Sequence, residues 1–421
     1  MLLKIRKKWR SALVLPKVIW SLLIVVVYMI GRLLPVPTVP INQELLQGIG
    51  DATLLNNLAT VTGASLSNMT LFSLGLSPWM TTVIIWRFFT VFDLLKNLTS
   101  VQVYRYRMLL AVVIAAIQAF GLSASVQFTE VSPLGLKGHT AKLIVTMIIL
   151  ITGALTLTWL GNINSEKGLG GMTIIIIVNM ILAFTENASQ YIASHDFTSQ
   201  STLIEVGAFF LIYFALVTLT VTLYRGEYRI PIKRIGIQTS YSVHSYLPIR
   251  VTPAGAMPFM YGMTIMMLPP YIISALMYFF PDNETLANLS TQIGISQLLG
   301  VILYIVLLYV LAIGFSYYNY DAYDIAKNMR NNGDYIEGIQ PGNPTKKYIQ
   351  TKVNYLAQFG TMTVILIGGI PLLTIVLQGG RTGNVSIALL INNAYIVSSL
   401  LLGVIEQVGM LQNWKKYKNL I

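Results

Sequence analysis

Ten stretches of this chain are apolar with little interruption, near residues 13–34, 76–91, 104–128, 143–160, 172–184, 203–223, 254–278, 293–315, 361–377 and 387–404. A helix of about 20 residues crosses the roughly 30 Å hydrocarbon core of a bilayer, so the pattern predicts ten spanning helices. The second and fifth stretches are short, with polar residues such as Thr70, Ser73, Glu186 and Asn187 near their ends. The first follows a basic tail (Lys4, Arg6, Lys7, Lys8, Arg10) and is too long for the core of a signal peptide, so it reads as a retained helix.

The basic residues orient these helices. An even number of spans places both ends on one side, and 22 of the 28 Lys and Arg fall on that side or in connections facing it. By the positive-inside rule this side is cytosolic. Its two longest connections, 225–251 and 318–358, hold ten of those residues. Ordinary topology determinants would look the same, but loops of this length also suit a docking face for a cytosolic partner.

Composition agrees with a membrane location: 55% of residues are hydrophobic and 10% charged, against roughly 25% charged in soluble domains. No cysteine is present to form a disulfide or thiolate metal site, and His139, His195 and His244 make no ligand cluster, so no metal or other cofactor is expected. Phosphate loops, dinucleotide glycine motifs and the H-E-x-x-H signature are absent, so an energy source must come from a partner. Most acidic residues sit in connections or at span ends, unlike the mid-membrane acids of ion-coupled carriers. Glu205 and Arg87 are the nearest exceptions, and both read as snorkelling side chains.

The spans divide into two fives near Gln200, and the second span of each half starts through helix breakers. These are Gly75-Leu76-Ser77-Pro78 and Thr252-Pro253-Ala254-Gly255-Ala256-Met257-Pro258. Interrupted helices at matching positions of two halves point to a transport path, although Pro and Gly are also common in membrane helices generally. Ahead of the first lies 48–68, too polar to span comfortably. It reads as a re-entrant segment or an external amphipathic loop, and a re-entrant segment would require protein or a water cavity to satisfy its backbone.

Several strings then resemble the SecY family of bacterial translocase channels along nearly the whole chain. They are Thr70 to Thr81 at the second span, Tyr228 to Arg234 and Ser245 to Val251 in one long connection, and Tyr335 to Thr345 in the other. The resemblance implies an all-α polytopic membrane protein of about ten helices in two inverted five-helix halves, a clamshell. Residues 1–200 would form the half with helices one to five, and 201–421 the half with helices six to ten. It implies a lateral gate between helices two and seven, with Pro78, Thr81 and Pro258, and a plug within about 48–68, with Leu54, Leu55, Leu58 and Gly63. A pore ring would use Met80, Ile84, Met172, Ile176, Met260 and Leu389. Without the resemblance, these Met and Ile residues read as ordinary packing.

The resemblance also implies a passive channel rather than an enzyme, in the bacterial plasma membrane with both termini cytosolic. Its partners would be a SecA-type ATPase, a SecE-like small membrane subunit, accessory Sec proteins, an unfolded preprotein and the lipid bilayer, with no nucleic acid bound directly. Motor docking would fall on Arg229, Lys233, Arg234, Arg250, Gln340, Lys346 and Lys347. Three departures stand out: methionines in the ring where the family favours isoleucine, a shortened connection over 93–105, and Gln340 where the family usually has arginine. They resemble the accessory SecY of certain Gram-positive bacteria, which exports glycosylated, serine-rich surface proteins with a dedicated motor. The alternatives are a housekeeping SecY channel, a secondary solute carrier, or an insertase scaffold without a pore.

Overall fold

The computed structural model describes residues 14–39, 61–64, 69–91, 99–126, 128, 138–194, 200–234, 245–280, 283–294, 297–377 and 382–418. Helices occupy all ten apolar segments. The first five are α1 (Val14–Leu33), α2 (Ser77–Val91), α3 (Ser100–Ala124), α4 (His139–Lys167) and α5 (Thr173–Ser194), followed by α6 (Gln200–Arg225). The seventh segment is split into α7 (Met257–Met266) and α8 (Leu268–Phe279). Pro269 and Pro270 lack the N–H groups that would bond back to the preceding turn, so the helix breaks at Met267. A short α9 (Glu284–Gln292) precedes α10 (Leu298–Asn319).

The connection over 318–358, read as a loop from sequence, is largely helical. It contains α11 (Ala322–Asn332), and α12 (Asn343–Val364) begins 18 residues before the apolar run that marks the ninth span. Its polar first turns hide an i, i+4 stripe, Thr345, Ile349, Val353 and Ala357, which is buried. α12 continues through a π-helical turn at Ile365–Gly369 into α13 (Ile370–Leu377), and α14 (Thr382–Lys418) closes the chain. Among the described residues, seven helical stretches are long and apolar enough to cross a membrane, and Thr173–Thr185 is a shorter apolar helix.

Short strands tie the long connections together. β1 (Glu227–Pro231) pairs antiparallel with β3 (Tyr246–Arg250), while β2 (Lys233–Arg234) pairs with β4 (Asp334–Tyr335) across the two connections. Ile230, Ile249, Met329, Ile336, Ile349 and Val353 form a small core beneath them, separate from the main one.

The main core lies between the two halves, which meet where α2 packs on α7, α3 on α8, and α5 and α1 on α14. At the α3–α8 contact a Cβ on Gly121 would stand 2.2 Å from the Tyr271 carbonyl oxygen, so only glycine lets these backbones approach so closely.

Candidate functional site

The two broken-helix approaches are alike in structure as well as sequence. Gly75 (φ 56°) and Gly255 (φ 58°) stand 180 residues apart, each left-handed and each two residues ahead of its helix. Their N–H groups donate to the carbonyl three residues back, Phe72 at 2.9 Å and Thr252 at 3.1 Å. A proline follows at the second helical position in both, Pro78 and Pro258, where a missing N–H costs nothing. Both prolines are buried, as is Thr81, whose hydroxyl donates to the Ser77 carbonyl at 2.9 Å.

The matched helices run antiparallel against each other. The Thr264 hydroxyl donates to Met80 Sδ at 3.8 Å and to the Met260 carbonyl at 2.7 Å. One turn and more along, Arg87 Nη1 approaches Met257 Sδ at 4.0 Å. The Arg87 guanidinium packs over the rings of Tyr318 at 4.2 Å and Phe315 at 4.7 Å. In place of the snorkelling reading, the structure shows the side chain held by aromatic faces of α10 and, at 5.8 Å, of Tyr261 in α7. Glu205 lies outside the side chains the structure describes.

Met80, Ile176 and Met260 all belong to the main core, and Met172 packs against that core. Ile84 does not join them and sits in a neighbouring cluster with Ala254, Leu311 and Phe315. Leu389 falls within α14, but its side chain lies outside the described residues.

Next to Met172 opens a cavity of about 560 Å³, at the end of the molecule that carries the strands. Its wall is mostly small, hydroxyl or amide residues, including Ser165, Thr252, Asn319, Ser399 and Gln407, with Arg250 as its one charge among the described residues. The glycine-rich turn before α5 that carries Met172 is fixed by Asn164, whose amide donates to the Leu169 carbonyl at 2.8 Å and to Gly171 at 2.7 Å. The Gly170 N–H reaches across to Gln407 Oε1 of the other half at 2.8 Å.

Of the plug residues, Leu54, Leu55 and Leu58 lie outside the described residues. Gly63 belongs to a buried limb, residues 61–64, in which the carbonyls of Thr62, Gly63 and Ala64 accept hydrogen bonds from protein. Leu76 N–H donates to the Thr62 carbonyl at 2.7 Å. The Tyr28 hydroxyl bonds the Gly63 carbonyl at 3.0 Å and Asn179 Oδ1 at 2.8 Å, while Asn179 Nδ2 donates to the Ala64 carbonyl at 2.9 Å. Irregular backbone of this kind among membrane-crossing helices is tolerated only under such cover.

The basic residues of the connections are mostly engaged. Lys233 Nζ bonds Glu337 at 2.8 Å, and Arg234 makes two bonds to Asp334, at 2.7 and 3.2 Å. These hydrogen bonds hold both cations above their ordinary pKa values. A cation whose pKa is raised is fully charged at and below its ordinary value and loses its charge only as pH climbs through the raised one, so both stay charged at neutral pH. Arg250 pairs with Glu406 at 2.9 Å and lies over the Tyr224 ring at 4.3 Å. Arg229 pairs with Glu227 at 3.4 Å, and Lys346 lies 5.3 Å from the Tyr323 ring. Gln340 and Lys347 are exposed at the turn beyond β4 and on the first turn of α12. Sequence reasoning missed Tyr28, Asn179 and Gln407; Asn179 was the readable one, a lone amide inside an apolar span.

The SecY family model matches residues 70–402. The accessory Sec system translocase subunit SecY2 of Streptococcus parasanguinis is 53% identical, with both chains covered completely. The SecY2 of Leuconostoc gelidum subsp. gasicomitatum is 34% identical over 97% of each chain. A solved protein-conducting channel superposes with a TM-score of 0.64 at 17% identity, covering 94% of this chain and 92% of its own. Sec61 of a canine ribosome–channel complex gives 0.62 at 15% identity with the same coverage, so both share the fold. The chain belongs to the SecY family of multi-pass translocase channel subunits, in its accessory branch.

Proposed function

We propose that this accessory Sec channel conducts unfolded preprotein along the seam between α2 and α7, and that the exported proteins are glycosylated, serine-rich surface proteins. The observation that carries the reading is the meeting of two matched broken helices at Met80 and Thr264, about two turns along α7 from Met257 in the wall of the cavity that reaches Met172. Met80, Met172, Ile176 and Met260 are the proposed constriction of this path, with Leu389 of α14 as a further member, while Ile84 lies beside it in the neighbouring cluster. An apolar ring resists ions by dewetting, and unbranched methionine flexes around a passing chain. Pro78, Thr81 and Pro258 line the gate, and the segment of Leu54, Leu55, Leu58 and Gly63 plugs the far side.

The channel hydrolyses nothing. A SecA-type ATPase docks on the strand-bearing end and drives transport, and a SecE-like small subunit clamps the two halves, with accessory Sec proteins alongside. That end and both termini face the cytosol from the plasma membrane, a placement supported by the 22 basic residues on that side. The docking residues are Arg229, Lys233, Arg234, Arg250, Gln340, Lys346 and Lys347. Pairing of Lys233 and Arg234 with Glu337 and Asp334 makes the two connections one rigid platform.

Reversing Lys233 and Arg234 to glutamate is expected to weaken motor binding to the reconstituted channel, most clearly at low ionic strength. Adding Glu337→Lys and Asp334→Lys restores the pairing in inverted polarity. Recovered affinity in that quadruple variant identifies the platform's shape as what the motor reads, and continued loss identifies the charge. Unchanged affinity in the double variant would remove these residues from the docking site.

A further inference from the structure

The turn that carries Met172 is held from two sides, and the second hold comes from the other half of the molecule. Within its own half, the Gly168 N–H donates to the Asn164 carbonyl at 2.9 Å and the Leu169 N–H to Ser21 Oγ of α1 at 2.7 Å. The Gly170 N–H instead crosses to Gln407 of α14. Gly170 has a φ of 69°, and a Cβ there would stand 3.0 Å from Val404 Cγ2, so the turn also lies close against α14. The residue before Gln407 is tied in the opposite direction. Glu406 Oε2 accepts from Arg250 Nη2 at 2.9 Å and from the Tyr224 hydroxyl at 3.1 Å, which joins α14 to β3 and to the end of α6. The Arg250 N–H donates to the Tyr320 hydroxyl at 3.1 Å, so β3 is fixed in turn to the second long connection.

We infer that Gln407 is a positioning residue for the proposed ring: it sets where Met172 stands, and through its neighbour Glu406 it ties that position to Arg250 on the strand-bearing face. The inference rests on the ring and docking readings given above. Glu406 and Gln407 are consecutive residues of one helical turn, so neither can shift far without the other. Met172 follows Gly170 by two residues, with Gly171 (φ 52°) between them, so a displaced Gly170 carries Met172 with it.

The contacts are of a kind that can be exchanged. Gly170, Arg250 and Gln407 all line the cavity, so the Gly170 N–H regains a water partner when Gln407 lets go. The side chains of Arg250 and Glu406 are 38% and 48% exposed, and a half-exposed pair is weak enough for a competing carboxylate on a docked motor to take Arg250. α14 then loses one of the two donors that hold Glu406, and its grip on Gly170 loosens. Asn164 still bonds the Leu169 and Gly171 carbonyls from the turn's own half, so release shifts the turn and does not unfold it. The bonded and released turns are two discrete arrangements that both the ring and the docking face bias, which is what coupling between two sites requires.

The test is the rate at which a cysteine replacing Met172, in the otherwise cysteine-free full chain, reacts with a membrane-impermeant maleimide added from the strand-bearing side of reconstituted vesicles. Gln407→Leu removes the acceptor and is expected to raise that rate about two- to tenfold, the range of one net hydrogen bond. Gln407→Glu keeps an acceptor and should return the parental rate, which separates positioning from general loss of packing. Glu406→Ala should also raise the rate, and combining it with Gln407→Leu should add little to either alone. Parental rates in both single variants, or fully additive effects, would overturn the inference. Adding the cognate SecA-type ATPase reads the docking proposal separately. A bound motor that speeds labelling of the parental chain but not of Gln407→Leu is the expected result. A motor that speeds both equally acts by another route and overturns the link through Glu406. A bound motor that changes neither, with the Gln407→Leu rise intact, strikes the docking reading and leaves Gln407 as the positioning residue.

Discussion

Replacing Met80 and Met260 together with glycine is expected to raise ion leak through the reconstituted channel strongly. Both side chains are buried, at 5% and 8% exposure, in the core between the two halves. Truncating a buried methionine costs about 2–5 kcal/mol of packing, and glycine inside a helix adds roughly 1 kcal/mol each. These side chains are buried in the core between the two halves, so the loss falls on the arrangement in which the halves meet. The proposed ring, which would exclude ions by dewetting, is also widened on two sides at once. Single variants should leak less than the pair, because Met172 and Ile176 still fill part of the gap. Unchanged conductance in the double variant would remove both methionines from the barrier.

The second large effect is expected from Gly121→Val, at the point where α3 and α8 join the two halves. The new Cβ would fall 2.2 Å from the Tyr271 carbonyl oxygen, which is backbone and cannot swing aside. The helices must separate by about 1 Å, and overpacking of this kind costs roughly 1–3 kcal/mol. Separation at this seam should lower thermal stability in detergent. It should also lower cross-linking by a short bifunctional thiol reagent between cysteines placed at Phe120 and Tyr278, whose rings lie 5.6 Å apart across it. If crosslinking and stability both stay at the parental level, the contact is looser than 2.2 Å implies.

The course of the chain through the membrane was readable because hydropathy over about 20 residues is a local property. So was the pairing of Gly75-Ser77-Pro78 with Gly255-Met257-Pro258, since helix breakers act on their own neighbours. The reading failed where a residue's role depends on distant partners. Arg87 in isolation resembles a snorkelling cation, and only folding brings Phe315 and Tyr318 over its guanidinium. Tyr28 and Asn179 are 151 positions apart, so nothing in either stretch announces their bond. The helix starting at Asn343 was missed for a different reason: its charged and polar residues, Lys346, Lys347 and Gln350 among them, mask a buried stripe at helical spacing. Strand β2 is two residues long and exists only because β4 lies beside it.

The fold also supports placing the proposed path at this seam. The two halves touch through few elements, and the pair α2–α7 is the one whose helices both begin at a left-handed glycine followed by proline.

The central claim is that polypeptide passes between α2 and α7, and crosslinking in membranes tests it most directly. Single cysteines at Met80 and Met260 in this cysteine-free chain would each be offered a stalled export substrate carrying one cysteine. Disulfides from both positions to the same stalled chain are the predicted result. Failure at both positions, with the substrate demonstrably engaged by the translocase, would contradict the assignment of this seam as the conducting path.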